Sequence, residues 1–414
     1  MMSVETLAPP AAAPSVAGLP GLRLARSAAE MQPAVLLGLL ARASHPEVIS
    51  FALGMPDLEL FPRQAFGEAL AGVLRDDPLS LQYLTPLTAL KAHVSTLMEQ
   101  RTGRPVPESR IVLTAGAQQG MLLLVQMLLD PGGRVLLEEI VYEGIQMAVR
   151  GLSPEIVTVP TSSESGVDVE AVERAFKGPR RPAFVYLIPD GHNPLGASLS
   201  LEKRKRLAEL ARRYQVPIIE DDAYGHLYYD EEPLPPLVSL DDRWVFHLGS
   251  FSKILAPGLR LGWVVVPEEL VPVVSGLKHA ADLNTANFVQ HATVRYLDGG
   301  TFEEHLRMLR RQYRRRRNAM CSALAAHLPP SVQWTVPKAG MFVWARLPDP
   351  LDAFEVVAEA IDRERVAFSP GRAFAAGGSS ADPFLRISFA NYSEDIIEEG
   401  VRRLGEVFRR VCSD

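Results

Sequence analysis

The sequence predicts an α/β protein with a large domain built on a mostly parallel central sheet and a smaller α+β domain behind it. Three observations carry that expectation. The chain has 414 residues, more than one hydrophobic core usually serves. Beyond residue 60, short apolar runs alternate with amphipathic stretches, as strands alternate with crossover helices around a parallel sheet. From about residue 296 the order changes to long helix, strands, helix.

Residues 1–25 are rich in Ala and Pro and poor in large apolar groups, which predicts a mobile leader. Residues 26–60 are expected to form an arm that packs with the small domain. In it Val35, Leu36, Leu39 and Leu40 have helical spacing. A short strand then leads into Gly54-Met55-Pro56, either a plain turn or a loop that lets backbone approach something closely.

The large domain is read as 61–295. Ile111 to Thr114 reads as a strand, and Ala115 to Gln119 as the turn into a helix that runs through Leu129. That helix is apolar all round and is expected to be buried. Its amino terminus presents free N–H groups and the positive end of a dipole, which suits a phosphate. Further strands are expected at 134–137, 183–188, 216–219, 244–248 and 261–266, and polar clusters follow at carboxyl ends, where such sheets bind ligands. On the helix that precedes 216, Lys203, Arg204, Arg206, Arg212 and Arg213 lie away from the apolar face and read as solvated.

The small domain is read as 296–414. Phe302, Leu306, Leu309, Tyr313, Met320 and Leu324 form one stripe of a long helix, and Arg310, Arg311 and Arg314 to Arg317 mostly occupy the rest. These arginines read as an exposed helix face and not as a nucleic-acid surface. Ile397, Val401, Leu404 and Phe408 pattern the last helix, with Ser393 as its cap.

Composition excludes several classes. With 43 basic and 49 acidic residues the formal charge is −6, which argues against nucleic acid or an anionic membrane as partner. Cys321 and Cys412 are the only cysteines, so neither a disulfide framework nor a cysteine metal site is indicated. No run approaches a membrane span and the amino terminus lacks the order of a signal peptide, so the cytoplasm is the expected location.

The stretch from Gly249 to Gly262 sets Lys253 among Ser250 and Ser252, with Arg260 seven positions on. An amine, two hydroxyls and a guanidinium that converge would suit an aldehyde bearing a phosphate, which is the requirement of pyridoxal phosphate. Taken alone, the same residues also fit a Ser/Gly turn with an exposed lysine. Such a cofactor further needs a carboxylate to keep its ring nitrogen protonated, donors for its ring hydroxyl and an aromatic against its face. Asp221 at a strand end, Tyr224 with Asn193, and Tyr142 are the candidates in turn.

With these residues in that order, the chain resembles the fold-type I pyridoxal-phosphate enzymes of aminotransferase class I/II, especially the aminoadipate, kynurenine and aromatic aminotransferase branch. The likeness runs from about residue 27 to the carboxyl end and rests on Ser250 to Gly262, Asn193-Pro194, Asp221 with Tyr224, and Leu385 to Phe389. It implies that Lys253 is the Schiff-base lysine and proton shuttle, Asp221 the ring-nitrogen partner, and Asn193 and Tyr224 the ring-hydroxyl donors. Tyr142 would stack on the ring. The phosphate would be held by Gly116, Ala117, Gln118, Ser250, Ser252 and Arg260, with the partner subunit's Tyr83 reaching in. Arg386 would grip the substrate α-carboxylate, and Gly54 with Asn193 would line the substrate's place. A homodimer with shared sites follows from the same resemblance.

Departures from the family pattern gather on the substrate side. Leu195 stands where a threonine is usual, the loop Leu84 to Leu87 is short, and Val35 or Leu36 falls where the branch carries an arginine. The leading expectation is an aminotransferase that moves the amino group of an L-amino acid to a 2-oxo acid by a ping-pong cycle. The alternative is elimination, replacement, oxidation or carbon–carbon bond formation with the same cofactor. A transcription regulator with an aminotransferase-like effector domain is a third class, disfavoured because only the leader and arm precede Gly54. His192 reads as a structural turn histidine, with an acid or substrate-contact role as the other option.

Overall fold

The computed structural model describes residues 22–31, 42–43 and 45–412. The helical spacing at Val35, Leu36, Leu39 and Leu40 and most of the leader lie outside the described residues. A seven-stranded sheet forms the centre, in the spatial order Ile111–Thr114, Gly262–Val265, Val245–Ser250, Ile218–Asp221, Val185–Leu187, Arg134–Glu138 and Glu155–Val159. All neighbours are parallel except Gly262–Val265, which runs antiparallel to both of its partners. The central strands are buried on both faces, which is why they read as continuous apolar runs with no alternation.

A second, four-stranded sheet orders Gln333–Trp334, Phe342–Arg346, Phe384–Ser388 and Ser369–Pro370, all antiparallel. The helices Phe302–His327 and Glu394–Val411 pack on one another beside it. Ile397, Val401, Leu404 and Phe408 are fully buried, as their spacing predicts. Ser393 occupies the cap position of the last helix, but its side chain makes no capping hydrogen bond.

The amino-terminal segment joins neither of these sheets but forms a two-stranded one of its own with a segment of the small domain. Ile49–Ser50 pairs in parallel with Val366–Ala367, and the Ser388 amide donates to the Phe51 carbonyl at 2.9 Å. Residues 49–54 therefore run between the two sheets and bring Gly54 to the end of the central one.

Three expectations need correction. Arg204 is not solvated: it is fully buried and its guanidinium forks onto Asp190 at 2.6 and 3.0 Å. Arg101 reaches the same carboxylate at 2.8 Å and also pairs with Asp222. Removing one partner from such a buried cluster costs about 3–5 kcal/mol. On the long helix, Arg316 and Arg317 are likewise buried, against Asp57 and Asp230. Periodicity located these side chains off the apolar stripe correctly, but the carboxylates that draw them inward come from distant segments. Finally, the helix Ala117–Leu128 is buried on one face only. Gly120 packs tightly on the sheet, where a Cβ would lie 2.7 Å from Val264, whereas Leu122 on the opposite side is 39% exposed.

Candidate active site

Lys253, Asp221, Tyr224, Asn193, Tyr142, Ala117, Gln118, Ser250, Ser252, Arg260, Gly54 and Arg386 line one cavity of about 300 Å³. They converge because parallel strands end together: Ile218–Asp221 delivers Asp221, and Val245–Ser250 delivers Ser250 and the turn that carries Lys253. Across the mouth, the second sheet contributes Phe342, Ser369 and Arg386.

Lys253 is the cavity's amine. Its Nζ donates to the Gly54 carbonyl at 2.9 Å. Burial lowers its pKa to about 8, with the nearby Arg386 and Arg260 adding to the effect and Asp221 opposing it. A lysine so placed sheds its proton far more readily than one in water, which is what a nucleophilic amine needs.

Asp221 is 5% exposed and burial raises its pKa, but two donors favour its charged form. The Tyr186 hydroxyl donates to Oδ2 at 2.6 Å and the Ala223 amide to Oδ1 at 3.2 Å. One further hydrogen-bonded cation would complete this carboxylate's surroundings.

At the other end, Gly116 opens the helix Ala117–Leu128 in a left-handed conformation (φ 81°). A Cβ here would lie 2.6 Å from the Arg260 guanidinium, so the backbone must be bare for the arginine to lie on the helix end. Arg260 has positive φ itself (49°), and donates to the Ala115 carbonyl at 3.2 Å. Ser250 Oγ accepts from the Ser252 amide at 3.1 Å, which holds the two hydroxyl residues in one turn. Free helix N–H groups, two hydroxyl residues and a guanidinium form a cradle for a phosphate.

Arg386 sits between aromatic rings, 4.3 Å from the Phe342 centroid and 4.7 Å from that of Phe374. Its Nη1 donates to Asn193 Oδ1 at 2.7 Å and its Nη2 to the Ala52 carbonyl at 2.6 Å. Nε is buried and has no hydrogen-bond partner among the described residues. Burial lowers its pKa to about 10, although Tyr224, Glu143 and Tyr142 work the other way. An arginine with an unused donor at a cavity wall can receive a carboxylate. The residues present thus fit pyridoxal phosphate at one end and an amino acid's carboxylate at the other.

The family model for aminotransferase class I and II matches residues 46–404. The chain belongs to this family. The 2-aminoadipate transaminase of Thermus thermophilus is 38% identical over 93% of this chain and 96% of its own. The aromatic-amino-acid aminotransferase 1 of Thermococcus litoralis is 34% identical over 92% of each. Among solved structures, the α-aminoadipate aminotransferase of T. thermophilus complexed with N-(5'-phosphopyridoxyl)-L-leucine aligns at a TM-score of 0.87 and 36% identity, covering 94% of this chain and 98% of that one. The protein is therefore a fold-type I, pyridoxal-phosphate-dependent aminotransferase of the aminoadipate, kynurenine and aromatic branch.

Of the site residues that the sequence singles out, Tyr83 does not line the aminotransferase cavity and is 84% exposed. Gly116 itself contributes backbone beside the cavity and not a lining side chain. His192 is buried behind the site with Nε2 2.9 Å from Glu138, as a structural histidine would be. Sequence reasoning missed Tyr186, Phe374, Ser369 and Glu143. Only Tyr186 carried a signal, as a hydroxyl within an otherwise aliphatic strand that must find a partner.

Proposed function

We propose that this cavity is where an L-amino acid gives up its amino group and a 2-oxo acid receives it, in alternate half-reactions at one site. The observation that carries the reading is a buried amine, Lys253, in the same cavity as Asp221 and the unpartnered Nε of Arg386. Pyridoxal phosphate, when bound, supplies the aldehyde that takes up the amino group and the ring that withdraws charge from the α-carbon.

The chain's own residues do the rest. Lys253 would hold the cofactor through Nζ, and the same Nζ would carry the α-proton. Asp221 would keep the ring nitrogen protonated. Asn193 and Tyr224 would donate to the ring hydroxyl, and burial raises the Tyr224 pKa so that its hydroxyl keeps its proton. Gly116, Ala117, Gln118, Ser250, Ser252 and Arg260 would hold the phosphate, and Tyr142 would pack against the ring. Arg386 takes the α-carboxylate with Asn193 beside it, while the Gly54 backbone leaves room for the substrate.

The experiment is a half-reaction without acceptor. Holoenzyme mixed with an amino donor should form about one equivalent of 2-oxo acid per site and no ammonia, and a second 2-oxo acid should then recover the amino group. Ammonia appearing in step with product would sink this reading.

Residues 61–295 are proposed as the cofactor domain, 296–414 as the small domain and 26–60 as the arm, which the pairing of Ile49–Ser50 with Val366–Ala367 supports. A homodimer in which the partner subunit's Tyr83 completes the phosphate site is supported by an apolar patch. Leu79, Leu81, Tyr83, Leu283 and Phe288 are exposed, and Asn284 and Asn287 tie their loop to the carbonyls of Leu84 and Gln82 at 2.8 and 2.6 Å. Sedimentation should give twice the chain mass, and a monomer that turns over at full rate would refute shared sites. Among the described residues no helix is long and apolar enough to cross a membrane. We place the enzyme in the cytoplasm, in amino-acid biosynthesis.

A further inference from the structure

Three cations line the cavity, Lys253, Arg260 and Arg386, together with two carboxylates, Asp221 and Glu143. The reading above employs every one of them except Glu143. This residue opens the helix Glu143–Arg150, directly after Tyr142, and is half-buried. Among the described residues its carboxylate has no hydrogen-bond or ion-pair partner, unlike most half-buried acids of this chain. Burial is the larger influence on both Arg386 and Tyr142, but the Glu143 charge acts on each, so it lies within electrostatic reach of the substrate end.

Among the described residues, the rest of the wall holds no further cation to balance a second substrate carboxylate. Leu53, Met121, Ile188, Phe342 and Phe374 are apolar. Residues 1–21, 32–41, 44 and 413–414, which lie outside the described set, include no lysine or arginine to add to this wall. A donor held by its α-carboxylate on Arg386 would bring its side chain into an apolar cavity whose one unassigned charge is negative. A side-chain carboxylate meets repulsion in such a cavity, where charges act more strongly than in water, and an ammonium or guanidinium finds its counter-ion.

We propose that Glu143 sets the substrate class of this aminotransferase, selecting amino donors whose side chain ends in a cation over donors whose side chain ends in a carboxylate. The inference rests on Arg386 as the α-carboxylate receptor.

The test compares L-ornithine with L-glutamate as donors for the holoenzyme and for Glu143→Gln and Glu143→Lys. The ratio of kcat/KM values is the readout, because it is independent of the fraction of folded enzyme. The wild type should favour ornithine, the ratio should fall at least about tenfold in Glu143→Gln, and Glu143→Lys should reverse it. Equilibrium binding of L-2-methylornithine and L-2-methylglutamate, which lack the α-hydrogen and cannot turn over, should shift in the same direction. A wild type that prefers glutamate, or ratios within about twofold across the three proteins, would overturn the proposal. Two further outcomes are separable. If Arg386→Ala leaves the affinity of both methyl analogues unchanged, the carboxylate receptor is wrong and the proposal falls with it. If no donor turns over, transamination fails, and the binding ratio still decides for or against Glu143.

Discussion

Lys253→Ala should lower turnover by about 10⁴-fold or more while the protein stays folded. The side chain holds no core together: among the described residues its one hydrogen bond is to the Gly54 carbonyl, and the loss of its methylenes leaves a cavity wall, not a void in packed apolar core. What goes is an amine for which the cavity has no substitute, since its other two cations are guanidiniums and not nucleophilic amines. Borohydride reduction of the wild-type holoenzyme should attach the cofactor to the peptide that carries Lys253, and the variant should yield no such adduct. An adduct at full stoichiometry in the variant, or turnover within about tenfold of wild type, would refute the assignment. The same lysine gives cofactor capture a pH dependence. With its pKa near 8, the neutral amine makes up about a tenth at pH 7, against roughly one part in three thousand for an unperturbed lysine. Capture of the aldehyde by apoenzyme should therefore rise as pH increases through about 8 and level off above it.

Asp221→Asn should lower kcat by about 10²–10³-fold. The substitution keeps the shape of the side chain and leaves an acceptor for the Tyr186 hydroxyl, so the change is chiefly one of charge. An amide cannot hold a neighbouring ring nitrogen in its protonated form, and the electron-withdrawing power of the ring falls accordingly. Asp221→Glu should restore part of the rate, because the charge returns at a shifted position. The measurement is single-turnover formation of 2-oxo acid at saturating donor. A rate for Asp221→Asn within about threefold of wild type would show that the carboxylate is not the ring-nitrogen partner.

The cofactor end of this site was legible in the chain for a physical reason. Asp221, Ser250 and Lys253 fall where apolar strands stop, and parallel topology forces those stops to one edge, so their convergence follows from the order of apolar runs. The Gly116 turn is legible in the same way, from a strand followed at once by a helix. The substrate end is not. Phe374 reaches the Arg386 ring sandwich from a short turn with no periodic signature, and Glu143 looks like any acid in the first turn of a helix. Arg204 shows the limit most plainly. Helical spacing correctly took it off the apolar stripe, but whether an off-stripe arginine meets water or Asp190 depends on how the preceding loop folds back over it, and no local pattern encodes that.

Arg386 also has a temporal meaning. It bonds to Asn193 across 193 positions and to the Ala52 carbonyl across 334, so its setting is made from three stretches of chain that leave the ribosome far apart in time. Domains fold broadly as units and in order of synthesis, and contacts of such long sequence separation close last. The strand ends bearing Asp221 and Lys253 and the turn bearing Gly116 are all present on a nascent chain well before residue 386 emerges. A growing polypeptide therefore has the groups proposed to face the cofactor before it has the arginine proposed to take the α-carboxylate. The setting of Arg386 is the last part of this cavity that the chain acquires.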